Sequence, residues 1–128
     1  MPNTKKITIN KTIFFVQLAT TMTEWAQGLS DVAGMKKSQG LLFCYGQPMQ
    51  RTFWMKDMKF SLDIILFDAG GQVVEVLKNL PPPEHKLVLD LPRYTSSFPI
   101  SFALEVNAGE ADGIVFGDKL VFVRDMPK

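Results

Sequence analysis

The sequence predicts a mainly-β fold: a compact antiparallel β-barrel or sandwich carrying one or two short helices. Three observations lead there. Short apolar runs are separated by Gly, Pro and Asp along the whole chain, the pattern of many short strands. Several of these runs alternate apolar with polar residues, as a strand with one buried face does. One run, Leu62–Asp63–Ile64–Ile65–Leu66–Phe67, is apolar on both faces apart from Asp63, which marks a central strand covered on both sides.

The elements follow in order. Ile7 and Ile9 alternate with polar residues in a first strand, and Asn10–Lys11 turns the chain. Phe14, Val16 and Leu18 share one face of a second strand. Thr21–Met22–Thr23–Glu24 fits a capping box, in which the threonine hydroxyl accepts from a free backbone N–H and the glutamate reaches back. A short helix then carries Trp25 and Leu29, with Gly28 near its end. Residues 30–39 read as a loop. Leu41 to Tyr45 is a short strand, broken by Gly46–Gln47–Pro48, and Thr52 to Lys56 is extended again. After the central strand, Asp68–Ala69–Gly70–Gly71 supplies turn chemistry. Val73 to Lys78 returns antiparallel.

Pro81–Pro82–Pro83 opens a stiff crossing. Leu87, Leu89 and Leu91 alternate as an edge strand closed by Pro92, before a polar loop from Arg93 to Ser97. Ile100, Phe102, Leu104 and Val106 give the cleanest alternation in the chain. A one-turn helix is expected around Gly109 to Ile114. Gly117–Asp118 then turns into a final buried strand, Leu120 to Val123.

The 128 residues suit one domain, 1–128. Their basic and acidic residues nearly cancel, at +1, and are spread rather than blocked. That argues against nucleic acid as a partner, because phosphate binding needs a concentrated basic surface. The Lys5–Lys6 and Lys36–Lys37 pairs read as solvated loop charges. Cys44 is the single cysteine, which excludes an intrachain disulfide and fits a reducing compartment. Its apolar neighbours Leu41, Leu42 and Phe43 mark it as an inert core thiol. The first residues lack the apolar core of a signal peptide, so a cytoplasmic location is the default. No run approaches the ~20 residues of a membrane span.

With these elements placed, the chain resembles domain of unknown function 192, also called uncharacterised protein family 0127. The similarity runs from about Phe14 to Val123. It is carried by Gln17–Leu18–Ala19–Thr20, Gly28–Leu29, Gly40–Leu41–Leu42–Phe43, Phe53–Trp54–Met55–Lys56, Leu62–Asp63–Ile64–Ile65, Gly71–Gln72–Val73–Val74, Leu104–Glu105–Val106, Gly109 and Gly117–Asp118. Two places depart from the family pattern. Ser30–Asp31–Val32 stands where relatives often carry methionine and a nearby arginine. Asp57–Met58 stands where they usually have Asn-Thr. The resemblance implies a compact, mostly β fold and no established activity. It also implies that many relatives are exported, against the cytoplasmic default.

Candidate chemistry is sparse. If residues 52–56 are extended, Trp54 and Lys56 project together, opposite Phe53 and Met55. An indole beside an ammonium can stack on a sugar ring or hold a small anion. The structural alternative, favoured by residue type, has Trp54 capping the core and Lys56 pairing with a carboxylate. Asp63, beside so apolar a run, must be hydrogen-bonded or ion-paired if buried. Lys56 is its natural partner, and a structural ion pair or a backbone cap is favoured over a general acid or base. Glu105 is expected to be exposed or salt-bridged. Were it buried, Asp63 and Glu105 could form an acid/base pair of glycosidase type.

Asp118 reads as a turn residue. His85 is the only histidine, and no Cys pair exists, so a zinc site of common type is not expected and no metal or cofactor is called for. No Gly-x-Ser-x-Gly elbow accompanies it. Gly70–Gly71 lacks the spacing of a phosphate loop. The seven methionines are scattered and read as packing. The leading expectation is a non-enzymatic binding or accessory domain for a small polar ligand such as a carbohydrate, using Trp54, Lys56, Arg93 and Tyr94. The alternatives are a hydrolase with Asp63 and Glu105 and a structural or protein-interaction module. Oligomeric state is not legible.

Overall fold

The computed structural model describes residues 4–84 and 87–124. Among the described residues nine strands and one α-helix follow in order: β1 (Lys5–Ile9), β2 (Thr12–Ala19), α1 (Met22–Gln27), β3 (Gln39–Met49), β4 (Thr52–Phe53), β5 (Leu62–Phe67), β6 (Val73–Leu80), β7 (Tyr94–Thr95), β8 (Ile100–Asn107) and β9 (Leu120–Phe122). Seven strands form one curled sheet, a half-barrel, in the order β6-β5-β8-β3-β2-β1-β9. β4 and β7 pair separately. The mainly-β expectation therefore holds. The sheet is mixed, because β2 and β3 run parallel with Val16 opposite Gly40, while the other pairs are antiparallel. A parallel pair needs a crossover, and α1 with the loop after it provides that crossover.

Both faces of the sheet are buried. Ile7, Ile9, Phe14, Val16, Leu42, Ile65, Phe67, Leu104 and Val106 pack on one side. Phe43, Tyr45, Phe53, Met55, Ile64, Leu66 and Ala103 pack on the other. All six residues of β5 are buried, as the doubly apolar run requires. Burial at ~1.5–3 kcal/mol per large apolar side chain makes these two layers the main stabilising term. β3 and β8 approach closely at Gly40. A Cβ there would stand 2.9 Å from the Glu105 carbonyl oxygen and 2.9 Å from Leu104 Cδ1, so only glycine fits.

The local chemistry read from the sequence is present at several points. Thr21 caps α1 and Glu24 reaches back to complete the box. That exposed glutamate is held below the ordinary carboxylate range, first by the Thr20 backbone N–H and then by the Thr21 hydroxyl. Asp68 Oδ1 accepts from the Gly70 and Gln72 N–H groups, closing the β5–β6 hairpin. Asp118 Oδ2 accepts from the Val115 N–H at 3.0 Å.

Other expectations are corrected. Gly46–Gln47–Pro48 does not break β3. The strand continues through a register shift between Cys44 and Met49, and such an irregularity is where a sheet tolerates proline. Leu87, Leu89 and Leu91 form no strand. A 3₁₀ turn spans Val88–Asp90, and Leu87 and Leu89 are exposed while only Leu91 is buried, so the alternation there does not mark one buried strand face. Residues 109–114 form consecutive turns without a helix. β9 is an edge strand that buries Leu120 and leaves Val121 and Phe122 exposed. Cys44 is only partly buried, though that burial still raises its thiol pKa. His85 lies outside the described residues.

Candidate functional site

The strand assignment to residues 52–56 is half right. β4 ends at Phe53, yet the alternation persists: Phe53 and Met55 are buried, while Trp54 is 40% exposed. The backbone then reverses at Asp57, with φ 61°, and the Met58 N–H donates to the Met55 carbonyl at 3.1 Å. Lys56 does not reach Asp63. Its Nζ pairs with Asp57 Oδ2 at 2.9 Å.

Asp63 is fully buried and satisfied by backbone alone. Its Oδ1 accepts from Asn79 N–H at 2.8 Å, and its Oδ2 accepts from Gly109 and Ala111 N–H at 2.9 and 3.0 Å. A carboxylate with no exposed surface and three amide donors on its two oxygens is closed to a substrate. In the β5–β8 register Ile64 lies opposite Glu105 and Asp63 opposite Val106. Glu105 therefore shares the face of Ile64, and Asp63 lies on the other side of the sheet. The structure does not bring the two carboxylates together.

Glu105 is also not exposed or salt-bridged. It is 8% exposed, and among the described residues its carboxyl has no hydrogen-bond or ionic partner. Burial alone pushes its pKa up to about 8, so it carries its proton at neutral pH. It stands in the wall of an open cleft of about 300 Å³, together with Trp25, Tyr45, Arg51, Trp54 and Lys56. Burial and the nearby Glu105 raise the Tyr45 hydroxyl well above its usual range.

Several elements build this cleft. The crossover supplies Trp25, whose Nε1–H donates to the Ala19 carbonyl at 2.9 Å, and Gly28 and Ser30 beyond it. Gly28 adopts φ 49°, and a Cβ on it would meet the Phe43 ring at 3.4 Å. β3 supplies Tyr45, whose ring lies 5.0 Å from that of Trp25. The segment between β3 and β4 supplies Arg51. Its guanidinium carbon sits 4.1 Å from the Tyr45 ring centre and 5.5 Å from that of Trp25.

Of the four expected binding residues, Trp54 and Lys56 line the cleft. Arg93 stacks on Trp54 at 4.1 Å. Tyr94 does not join them. It lines a separate groove of about 230 Å³ with Met55 and Pro81–Pro82–Pro83. Sequence patterning does not single out Arg51, Tyr45 and Trp25 as site residues, since no spacing links residue 25 to residues 45 and 51. The two segments that depart from the family pattern meet at the cleft rim. Asp31 N–H donates to the Asp57 carbonyl at 2.8 Å, and Ser30 Oγ–H donates to the Lys56 carbonyl at 3.4 Å.

Fold and site together define a mainly-β half-barrel with an aromatic-walled, polar cleft on one face of the sheet. The chain belongs to the family of domain of unknown function 192, described as "Uncharacterized ACR", whose model matches residues 5–122. The match takes in β1, ahead of the Phe14 start expected from the motifs. A crystal structure of a protein of unknown function from Novosphingobium aromaticivorans DSM 12444 is similar, with a TM-score of 0.82 and 29% identity over 92% of this chain and 84% of that one. A second, described as a candidate transcription regulator from Sinorhizobium meliloti 1021, has a TM-score of 0.83 and 24% identity over 93% of each chain. That second likeness bears on the fold alone. No curated protein matches. No described helix is long and apolar enough to cross a membrane.

Proposed function

We propose that this chain is a non-enzymatic binding module whose cleft takes a small polar ligand of the sugar class. One observation carries the reading: Trp54, Tyr45 and Trp25 line one open cleft together with Arg51, Glu105 and Lys56. Sugars present apolar C–H faces that stack on aromatic rings and hydroxyls that need donors and acceptors at the edge. The cleft's volume, about 300 Å³, falls at the small end of ligand sites and suits a single ring.

A thermal-shift screen over monosaccharides, nucleotides and metal ions tests this on the native chain and on Trp54→Ala. A ligand of the native state raises the melting temperature by mass action. A sugar is expected to shift the native chain and not the variant. Sugars that shift both equally, or neither, refute the reading.

The exposed edge strand β9, with Val121, Phe122 and nearby Phe116 open to solvent, supports a second reading as a protein-interaction module. Light scattering that finds a monomer at every concentration counts against self-association through that edge.

A further inference from the structure

Arg51 is the best-anchored backbone in the cleft and its worst-satisfied side chain. Its N–H donates to Ser96 Oγ at 3.0 Å, and its carbonyl accepts from the Ser96 N–H at 2.8 Å. The guanidinium is carried out over Tyr45 and Trp25. Those ring faces hold the cation in place, but they occupy none of its five N–H donors. Among the described residues the guanidinium makes no hydrogen bond and no ion pair. Its Nε is fully buried and has no partner. Glu105 faces the same cleft, nine-tenths buried, and its carboxyl has no protein partner among the described residues, though its oxygens are not sealed from solvent as Arg51 Nε is.

Two unpartnered polar groups in one cleft are a costly arrangement for a folded chain, and they complement a ligand of definite charge. A cationic ligand is a poor fit. The aromatic cage of Trp25 and Tyr45 already holds a cation of the protein's own, and Lys56 adds a second at the rim. A neutral ligand leaves the guanidinium charge uncompensated. An anion matches it, and the planar guanidinium fork matches a planar two-oxygen anion. Of the two cations that line the cleft, Lys56 is engaged by Asp57 and Arg51 alone is left for one negative charge; Arg93 stacks on Trp54 from outside that lining and donates to the Leu91 carbonyl. A doubly charged phosphate exceeds that, whereas a carboxylate equals it.

We infer that the cleft recognises a small monocarboxylate, seated in the guanidinium fork of Arg51 with the Glu105 carboxyl beside it. Under the sugar reading above, on which that identification rests, the ligand is an acidic sugar of the uronate kind. Arg51 supplies charge and orientation, and Trp54 supplies the wall against which the ring lies.

The test follows the Arg51 Nε–H signal by NMR in the ¹⁵N-labelled chain. Only three arginines are present, and Arg51→Lys assigns the signal by its loss. The probes are acetate, D-glucuronate, D-glucose and choline. Acetate and glucuronate are expected to move the signal saturably, and glucose and choline to leave it in place. Glucuronate affinity is expected to exceed that of glucose at least about tenfold, and to fall by about as much in Arg51→Lys. Equal binding of glucose and glucuronate overturns the carboxylate assignment and leaves the sugar reading standing. Acetate moving the signal while both sugars fail removes the sugar reading and keeps the carboxylate site. A signal that no carboxylate moves refutes the assignment without recourse to any variant.

Discussion

Substituting Glu105 with glutamine should change how stability depends on pH. The carboxyl of Glu105 is buried and unpartnered, and burial raises its pKa from an ordinary 4.5 to about 8. In the unfolded chain the group ionises near its ordinary value. Between those two points the folded form holds a proton that the unfolded form has released. Folding then takes up a proton, and stability falls as pH rises. The contribution is fully present below about 4.5 and is lost by the time pH passes about 8. At ~1.4 kcal/mol per pH unit, the whole loss is on the order of 5 kcal/mol. That is comparable with the ~5–15 kcal/mol total stability of an ordinary domain. Urea unfolding midpoints measured from pH 5 to pH 9 should fall steadily for the native chain and much less for Glu105→Gln, whose amide cannot ionise. The variant should be the more stable of the two at pH 8. Arg51 and Tyr45, which border the same cleft, are unchanged in both proteins, so the difference isolates Glu105. Parallel curves would refute the assignment of a raised pKa to this residue.

Three further outcomes are expected from urea unfolding. Asp63→Asn places an amide N–H₂ against backbone donors that now share two carboxylate oxygens; it should cost about 3 kcal/mol or more, and a loss below ~1 kcal/mol would contradict the backbone-clamp role. Gly40→Ala forces a Cβ into the Glu105 backbone and Leu104 and should cost ~1–3 kcal/mol. Thr21→Ala removes the cap of α1 and should cost ~1 kcal/mol, with Thr21→Ser recovering most of it.

What was legible in the chain is what is local. The capping box at Thr21 and the Asp68 turn each lie within five residues, and their chemistry is carried by residue type alone. The doubly apolar β5 announces burial on both faces. The parallel β2–β3 pair is invisible at that range, because alternation gives a strand its faces but not its neighbours. Leu87, Leu89 and Leu91 mislead for the converse reason: period-two leucines look the same whether or not a sheet edge is there to receive them.

The site divides along the same line. Trp54 stands out as an aromatic on the polar side of an alternating segment, and it does line the cleft. Asp63 and Glu105 differ by parity across one register, which only the pairing of Ile64 with Glu105 decides. Arg51 gives no signal at all, since its role depends on rings contributed by residues 25 and 45.

The chain has two tryptophans, and both stand in the wall of this one cleft, Trp25 near Arg51 and Trp54 under Arg93. Tryptophan fluorescence in this protein is therefore a signal from the cleft, not an average over the fold. The cleft closes only when the crossover carrying Trp25 meets β8, which carries Glu105 far along the chain. Contacts of such long sequence separation are costly to close during folding. In a refolding experiment, tryptophan emission should report the arrival of the crossover, while circular dichroism reports the strands, and a lag between the two would time the assembly of the site itself.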